Sequence, residues 1–480
     1  MNDKLSRVNA EFQDDGTPKN SATESIQHSK TSTQHSCATH ALVPKLRFDE
    51  FNAVYSSYHL GDTITHKGGT ALESFVEENG THKFISIGSY SKDGKFIDNQ
   101  QRISLNAKSE SRLLEKNDLV MVLNDKTKTG DIIGSTILID SSDSYIYNQR
   151  SERIITNKEL LSPLYAWFLL NSPKQRKNVF SVSQGGTQIY VNFPAVKSLK
   201  IHLPALPEQE KIAAFLTAVD QRAEQLQRKK TLLQSYKKAC MQRLFSNAEC
   251  GMMSDEFQHD ETPTSATEPI HHSKLSTQHS LRFRQDNGEP YSDWEEKKLG
   301  EIATFSKGKG ISKNDVSEEG TTKCIRYGEL YTVYTETIST VFSSTTLPAN
   351  ELVMSRANDV IIPASGETHI DIATASCVID EGIALGGDLN IIRSNVNGVF
   401  LAYYLNNAMK HKIAGLAQGS SVIHLYASQL KDLKLQVPTK GEQTKIANFL
   451  SSIDTKIEQV THQLTQTLTF KKGLLQQMFT

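Results

Sequence analysis

Residues 203–216 read LPALPEQEKIAAFL, and residues 437–450 read VPTKGEQTKIANFL. Each residue of the first stretch aligns without a gap with the residue 234 positions later in the chain. The alignment extends outward as far as Phe245 in the first copy and Phe479 in the second. A repeat over roughly sixty residues indicates that the chain builds the same structural unit twice.

The repeated stretches predict two long helices. Pro207 suits the first turn of a helix, and Thr439 with Glu442 predicts a capping box where the second helix begins. Apolar residues then recur at alternating intervals of four and three, which is the pattern of a coiled-coil seam. The seam residues are Ile212, Leu216, Val219, Leu226 and Leu233 in the first copy and Ile446, Leu450, Ile453, Ile457, Val460 and Leu464 in the second.

We expect the helices, over 205–246 and 439–480, to pair with each other as an antiparallel coiled coil. One chain already carries two matching seams, which favours pairing within the chain over a zipper between two copies. Each helix of about forty residues would be about 60 Å long at 1.5 Å per residue. Lys230 and Lys237 interrupt the first seam, and Thr467 and Lys471 interrupt the second seam at the same heptads.

Two stretches that differ from each other precede the helices, over 46–204 and 281–438. Both mix short β-rich runs with one compact helix, which predicts two mixed α/β domains and an α+β fold with a pseudo-two-fold internal repeat. The predicted strands and helices are Leu119–Leu123, Thr136–Ile139, Asp359–Pro363, Leu389–Arg393, Ser162–Leu170 and Val399–Met409. Segments 1–45 and 247–280 repeat each other and are rich in Ser, Thr, His and Gln, so we expect flexible linkers there.

Composition excludes several classes of protein. The formal net charge is -1, so any surface that binds nucleic acid must be a local patch. The five cysteines have no paired spacing, which argues against a disulfide framework or structural zinc and fits a reducing cytoplasm. The longest apolar run, residues 164–170, is far too short to span a bilayer.

The motifs of the enzymes that act on DNA are missing from the sequence. Residues 307–313 read KGKGISK, which lacks the spacing of a P-loop, and no Asn/Asp-Pro-Pro-aromatic motif of an amino methyltransferase is present. Residues 296–298 read EKK, but the nearest acidic residues upstream are too close for a typical nuclease metal site. We therefore predict no catalytic residue and no metal site, which leaves a binding role by elimination.

The residues that carry these patterns resemble the specificity subunits of type I restriction-modification enzymes. The resemblance rests on the twin signature, residues 203–212 and 437–446, and on the segments 48–61 and 294–300 that open the two domains. Residues 325–331 and 359–368 also resemble stretches of this family. The long duplicated linkers depart from the family pattern.

The resemblance implies a non-catalytic, cytoplasmic subunit that binds double-stranded DNA and reads a bipartite, asymmetric site. It implies two modification subunits and two restriction subunits as partners, with S-adenosylmethionine, ATP and Mg on those partners and no cofactor in this chain. Each domain would read one half-site, and the helices would fix the gap. Half-sites about one helical turn apart lie ~35 Å from centre to centre. The alternatives are a structural coiled-coil adaptor that binds proteins only and, with less support, a self-contained methyltransferase or nuclease.

Phosphate contacts should position the domains, and Lys, Arg, Asn, Gln, Ser and Thr side chains on loops facing the major groove are the chemically suitable readers of base edges. The candidate DNA-binding residues of the first domain are Lys67, Thr70, Tyr90, Lys92, Lys95, Gln184, Thr187 and Gln188. Those of the second domain are Lys307, Lys309, Lys313, Arg326, Tyr327, Tyr331, Ser365, Thr368, Gln418, Ser420 and Ser421. For any single one of them, a role in a turn or a solvated loop is the alternative.

Overall fold

A computed structural model describes residues 43–246, 281–420 and 422–479. The predicted flexible linkers, apart from residues 43–45, lie outside the described residues, as does Ser421. The described chain forms two compact units. The first extends to Gln225 and includes the chain from Leu464 onward, and the second is Leu226–Gln463. Each unit therefore contains one of the two diverged stretches and a part of each long helix.

The first unit is built on short, mostly antiparallel strands. Its four-stranded sheet has the order Ile64–Gly68, Ser151–Thr156, Leu119–Val122 and Thr136–Leu138. Its three-stranded sheet has the order Arg102–Ile103, His82–Ile85 and Tyr145–Tyr147. Two strand pairs complete it, Ser56–His59 with Lys200–Leu203 and Ile189–Tyr190 with Asn124–Asp125. Its shorter helices are Pro163–Asn171, Pro173–Ser181 and Phe193–Lys197.

The second unit has a related architecture. Its five-stranded sheet has the order Ala303–Lys307, Leu389–Ser394, Asp359–Pro363, Ser376–Val378 and Thr337–Ile338. Its four-stranded sheet has the order Ser344–Thr345, Thr322–Ile325, Ala384–Leu385 and Val353–Met354. The strand pairs are Glu295–Lys298 with Lys434–Val437 and Ser365–Gly366 with Ile423–His424. The shorter helices are Leu299–Ile302, Glu329–Thr332, His369–Ile372, Gly398–Asn407, Lys410–Leu416 and Ala427–Lys431.

The two long helices, Leu206–Phe245 and Lys440–Met478, run in opposite directions. In the first unit, Leu216 from the beginning of the first helix shares a hydrophobic core with Leu474 from the end of the second. In the second unit, Leu244 from the end of the first helix shares a core with Leu450 from the beginning of the second. The helices therefore pair as predicted, in antiparallel orientation. Among the described residues, none of the helices combines the length and the hydrophobicity that crossing a membrane requires.

The lysines that interrupt the seams form ion pairs across the helices. In the first unit, Lys471 Nζ lies 2.6 Å from Asp220 Oδ1, and both side chains are 13% exposed. In the second unit, Lys237 Nζ lies 2.8 Å from Asp454 Oδ1. Each pair joins the lysine of one repeat to the aspartate of the other, because the repeats pack against each other in reverse order. Parallel helices would instead bring lysine to lysine and aspartate to aspartate.

The glutamate of each signature holds the segment that enters its unit. The Arg47 guanidinium donates to both carboxylate oxygens of Glu208 at 2.7 Å. Arg282 donates in the same way to Glu442, at 2.7 and 2.9 Å. The carboxylate of Glu442 also accepts a hydrogen bond from the indole of Trp294. A bidentate pair of this kind explains why the signature requires a glutamate.

Candidate nucleic-acid interface

In the first unit, backbone hydrogen bonds join four separate segments at one edge. The amide of Gly69 donates to Ser151 O at 3.1 Å. The amide of Leu123 donates to Arg150 O, and the amide of Val191 donates to Leu123 O, both at 2.9 Å. The segment after the first strand of the sheet is thereby connected to the hairpin around residue 188.

The second unit repeats this chain of contacts with different residues. The amide of Gly308 donates to Leu389 O, that of Ala364 to Asp388 O, and that of Leu425 to Ala364 O. We call this edge of each unit the candidate interface. It consists of residues 67–70, 124–131 and 183–192 in the first unit and of residues 307–310, 364–371, 417–420 and 422–426 in the second.

Each candidate interface contains a tight hairpin. Gln184 bridges Tyr190 in the first unit, and Gln418 bridges His424 in the second. The turns depend on Gly185 and Gly419, whose φ angles are 104° and 126°. A Cβ at Gly185 would lie 2.0 Å from Gln188 O, and one at Gly419 would lie 2.1 Å from Val422 O. Only glycine fits these positions, so the repeated Gln-Gly dipeptide shapes the turn.

After each turn, side chains alternate between the core and solvent, as a strand requires. In the first unit Ile189 and Val191 are buried, and the exposed side chains are those of Gln188, Tyr190 and Asn192. In the second unit Ile423 and Leu425 are buried, and the exposed side chains are those of Val422, His424 and Tyr426. We call these two sets of three the exposed rows. They occupy equivalent positions of the repeat and carry different chemistry.

A loop with two exposed lysines lies beside the first hairpin. Asp125 pairs with Ile189 in the strand register, and its buried carboxylate accepts from the amides of Thr127 at 2.8 Å and Ile132 at 2.9 Å. These bonds fix the loop that presents Lys126 and Lys128 to solvent. A cationic, ordered loop next to a hydrogen-bonding hairpin is suited to hold a phosphate backbone.

Arg176 connects the loops of the first candidate interface through hydrogen bonds to their backbone. Its guanidinium donates to the carbonyl oxygens of Ile133, Lys92 and Asp131, at 3.0, 3.1 and 2.8 Å. Burial lowers the pKa of Arg176 to about 10, which leaves the group charged at neutral pH. Arg176 therefore has a positioning role.

The structure brings most of the predicted residues of the first domain to this edge. Lys67, Thr70, Gln184, Thr187 and Gln188 belong to the candidate interface, and the Gln184 amide oxygen accepts from the hydroxyl of Tyr190 at 3.1 Å. Lys92 lies next to it and forms an exposed ion pair with Asp131 at 2.7 Å.

Two predicted residues of the first domain have other partners. Tyr90 is only 3% exposed, and its hydroxyl donates to Ser151 Oγ at 2.8 Å, which contradicts its predicted role as a DNA contact. Burial also raises the pKa of Tyr90 well above its usual value. Lys95 forms an ion pair with the first long helix, in which its Nζ lies 2.6 Å from Glu224 Oε1.

In the second unit, six predicted residues belong to the candidate interface, and three more lie close to it. The six are Lys307, Lys309, Ser365, Thr368, Gln418 and Ser420. Arg326 and Tyr327 follow Ile325, whose carbonyl accepts from the amide of Gly386 at 2.9 Å. Tyr331 lies on the short helix Glu329–Thr332 that follows these two residues, and burial raises the pKa of its hydroxyl.

One of these six residues and the two remaining predicted residues of the second domain are placed less favourably. Ser365 is largely buried, with Oγ 3.3 Å from His424 Nδ1. Lys313 is exposed on the turn Lys313–Asp315. Ser421 lies outside the described residues.

Sequence reasoning missed several residues of the candidate interfaces. They are Lys126, Lys128, Tyr190 and Asn192 in the first unit and His369, Ile370, Val422, His424 and Tyr426 in the second. The repeat itself carried a signal for some of them, because residue 188 aligns with 422 and residue 190 with 424. Lys126 and Lys128 could be assigned to the interface only from the structure, in which residues 124–125 pair with residues 189–190.

Two cysteines of the second unit, Cys324 and Cys377, are buried. Burial raises the pKa of the Cys324 thiol to about 11 and that of the Cys377 thiol to about 12, so both stay protonated at neutral pH. Within the described ranges, no group of three or more His, Cys, Asp or Glu side chains is placed to hold a metal ion. What the candidate interfaces offer is hydrogen bonding, positive charge and apolar contact.

Comparison with known proteins identifies the family. The model of the type I restriction modification DNA specificity domain matches residues 54–234 and again residues 291–469. The MjaVIII specificity subunit of a type I restriction enzyme from Methanocaldococcus jannaschii is 24% identical over 416 residues, which cover 83% of this chain and 86% of that protein. The MjaX specificity subunit from the same organism is 25% identical over 308 residues, which cover 63% of this chain and 64% of that protein, slightly less than two thirds of its length.

A solved structure shares the fold. The crystal structure of the type I restriction-modification system S subunit from M. genitalium superimposes with a TM-score of 0.55 at 16% identity, over 92% of this chain and 99% of that one. The two family matches cover both diverged stretches and most of both long helices. The chain therefore belongs to the type I restriction-modification specificity family and carries two copies of its DNA specificity domain.

Proposed function

We propose that this chain reads a bipartite, asymmetric sequence in double-stranded DNA, with one half-site at each candidate interface. The observation that carries the proposal is the pair of exposed rows. A common backbone frame presents different side chains at equivalent positions, which is what two readers of different half-sites need. The phosphate contacts would come from the lysine-bearing loops and the base contacts from the hairpins.

The chain would act in the cytoplasm as the non-catalytic subunit of a larger enzyme. Two modification subunits would supply S-adenosylmethionine-dependent methylation of adenine, and two restriction subunits would supply the ATP- and Mg-dependent steps. This chain would select the site, and the antiparallel helices would fix the gap between the half-sites. An adaptor that binds only proteins is the alternative function.

Methylation-sensitive sequencing of host genomic DNA, with and without the gene, tests the proposal. We expect a bipartite modified motif that disappears when the gene is deleted. Filter binding of the chain with its modification subunit to duplex DNA provides the second readout. Unchanged methylation on deletion, together with no DNA binding by this complex, would favour the adaptor instead.

The double variant Lys126→Ala, Lys128→Ala should weaken DNA binding about equally for all sequences. Loss of two phosphate contacts should reduce the slope of log K against log salt by about 2. The matched control is Lys108→Ala, Lys116→Ala, which removes two exposed lysines of the same unit outside the candidate interface and should leave the slope unchanged. Equal slopes for the two double variants would contradict the assignment of the loop.

A further inference from the structure

The exposed rows differ most sharply at their first position. Residue 188 is glutamine and its repeat equivalent, residue 422, is valine. Val422 is 52% exposed, although the alternating pattern buries its neighbour Ile423 at 3%. The backbone frame on which both residues stand is the same, so the difference lies in the side chain alone.

The surroundings of Val422 are also more apolar than those of Gln188. Ile370, on the short helix His369–Ile372 that follows the strand paired with residues 423–424, is 45% exposed. Tyr426, at the third position of the same row, is 47% exposed and its ring stacks with that of His424 at a centroid distance of 6.3 Å. The corresponding loop of the first unit instead presents Lys126 and Lys128.

Base edges in the major groove distinguish these two kinds of side chain. A carboxamide can pair with adenine through N6 and N7, whereas a branched apolar side chain packs against the 5-methyl group of thymine. An exposed valine can make no hydrogen bond, so apolar contact is the only base recognition open to it.

We infer that Val422 reads the 5-methyl group of a thymine in the half-site of the second unit, at the position where Gln188 reads an adenine in the other half-site. The inference rests on the proposed function and gives the chemistry of one contact in each half-site. It also predicts that the second half-site contains a thymine in the major groove facing the hairpin.

Replacement of thymine by uracil tests this contact, because it removes only the methyl group. The motif found by sequencing would be made as a duplex, and uracil would replace each thymine in turn. Binding would be measured with the full chain in complex with its modification subunit. One substitution should weaken binding of the wild-type complex about fourfold, the value of one methyl group removed from contact.

The variant Val422→Ala, which shortens the apolar side chain, should bind thymine and uracil at that position with a clearly smaller difference. The matched variant Gln188→Ala, which makes an equivalent truncation on the other hairpin, should keep the fourfold preference for thymine. It should instead lose discrimination of an adenine in the other half-site, which 7-deaza-adenine would reveal. Val422→Ile keeps the apolar contact and should retain the sensitivity to uracil. It therefore shows whether a loss of this sensitivity in Val422→Ala comes from the missing contact or from misfolding caused by any substitution at this position.

The outcomes separate the inference from the function on which it rests. Wild-type binding that is indifferent to every uracil substitution would overturn the inference, and so would an undiminished uracil effect in Val422→Ala. Either result would leave sequence-specific binding itself intact. Absence of any modified motif and of any specific binding would overturn the proposed function.

Discussion

Two aspartates at equivalent positions of the long helices have different partners. In the second unit the hydroxyl of Tyr403 donates to Asp454, and Lys237 Nζ lies 5.0 Å from the centroid of the same ring. In the first unit Lys471 Nζ lies 5.9 Å from the ring of Phe168, which takes the place of the tyrosine but has no hydroxyl. Among the described residues, nothing donates a hydrogen bond to the buried Oδ2 of Asp220. One repeat therefore satisfies its buried carboxylate more completely than the other.

We expect Phe168→Tyr to stabilise the first unit by about 1 kcal/mol, because a new hydroxyl would donate to a buried carboxylate. Each unit contains one tryptophan, so fluorescence can follow the units separately. In a Trp294→Phe background, Trp167 reports the first unit alone, and its urea midpoint should rise.

The reciprocal variant Tyr403→Phe serves as the control for this prediction. It removes the corresponding hydroxyl and should lower the urea midpoint of the second unit, followed by Trp294 in a Trp167→Phe background. A lower urea midpoint of the first unit in Phe168→Tyr would show that the core has no room for the new hydroxyl. The sites around Asp220 and Asp454 would then not be equivalent.

At the scale of elements, the sequence predicted best the helices whose apolar pattern repeats many times. The alternating four-three spacing gave both long helices to within about two residues, since a seam repeated over five heptads leaves few alternatives. The strand Asp359–Pro363 was predicted at its observed bounds. Its residues are buried on both faces of the sheet, and a strand of this kind appears in the sequence as a short, nearly continuous apolar run. The helices Pro173–Ser181 and Lys410–Leu416 were missed, because both are short and follow another helix directly.

The candidate interfaces were predictable only in part. The Gln-Gly turns are local features, and the candidates Gln184 and Gln418 named from the sequence lie in the two hairpins. The exposed or buried state of Tyr90 and Lys95 depends on Ser151 and Glu224, which are distant in the chain. No local pattern contains that information.

The signature glutamine joins a long helix to the shorter helix before it. Gln209 Nε2 donates to the carbonyls of Leu160 and Pro204, at 2.8 and 2.9 Å, and its Oε1 accepts from the amide of Ser162 at 3.0 Å. Ser162 is the residue before the helix Pro163–Asn171. One carboxamide thus satisfies three backbone groups near the contact of two helices.

We expect Gln209→Met to destabilise the first unit by about 3 kcal/mol or more. Methionine keeps the volume but leaves these backbone groups without their partner, at about 1 to 3 kcal/mol for each buried group that stays unpaired. Urea denaturation followed by Trp167 in the Trp294→Phe background measures the effect. Gln443→Met, at the equivalent position, should shift only the transition of the second unit. A cost below 1 kcal/mol would indicate that water replaces the carboxamide.

At the scale of the whole molecule, each unit depends on residues from the opposite half of the sequence. Leu474, Met478 and Phe479 are buried in the core of the first unit, where the ring of Phe479 lies 5.5 Å from that of Tyr165. The amide of Leu46 donates to Gln477 O at 3.1 Å. The core of the second unit receives the repeat equivalents, among them Cys240, Leu244 and Phe245.

Removal of residues 474–480 should therefore unfold the first unit while the second stays folded. Three large apolar side chains at about 1.5 to 3 kcal/mol each amount to much of the 5 to 15 kcal/mol that stabilises a typical domain. In single-tryptophan backgrounds, the Trp167 transition should move to lower urea or vanish, whereas the Trp294 transition should stay in place. The variant Leu244→Ala, Phe245→Ala should give the opposite result. If the truncation and the double substitution each shifted both transitions equally, the chain would unfold as one cooperative body, and the stabilities of the two units could not be separated.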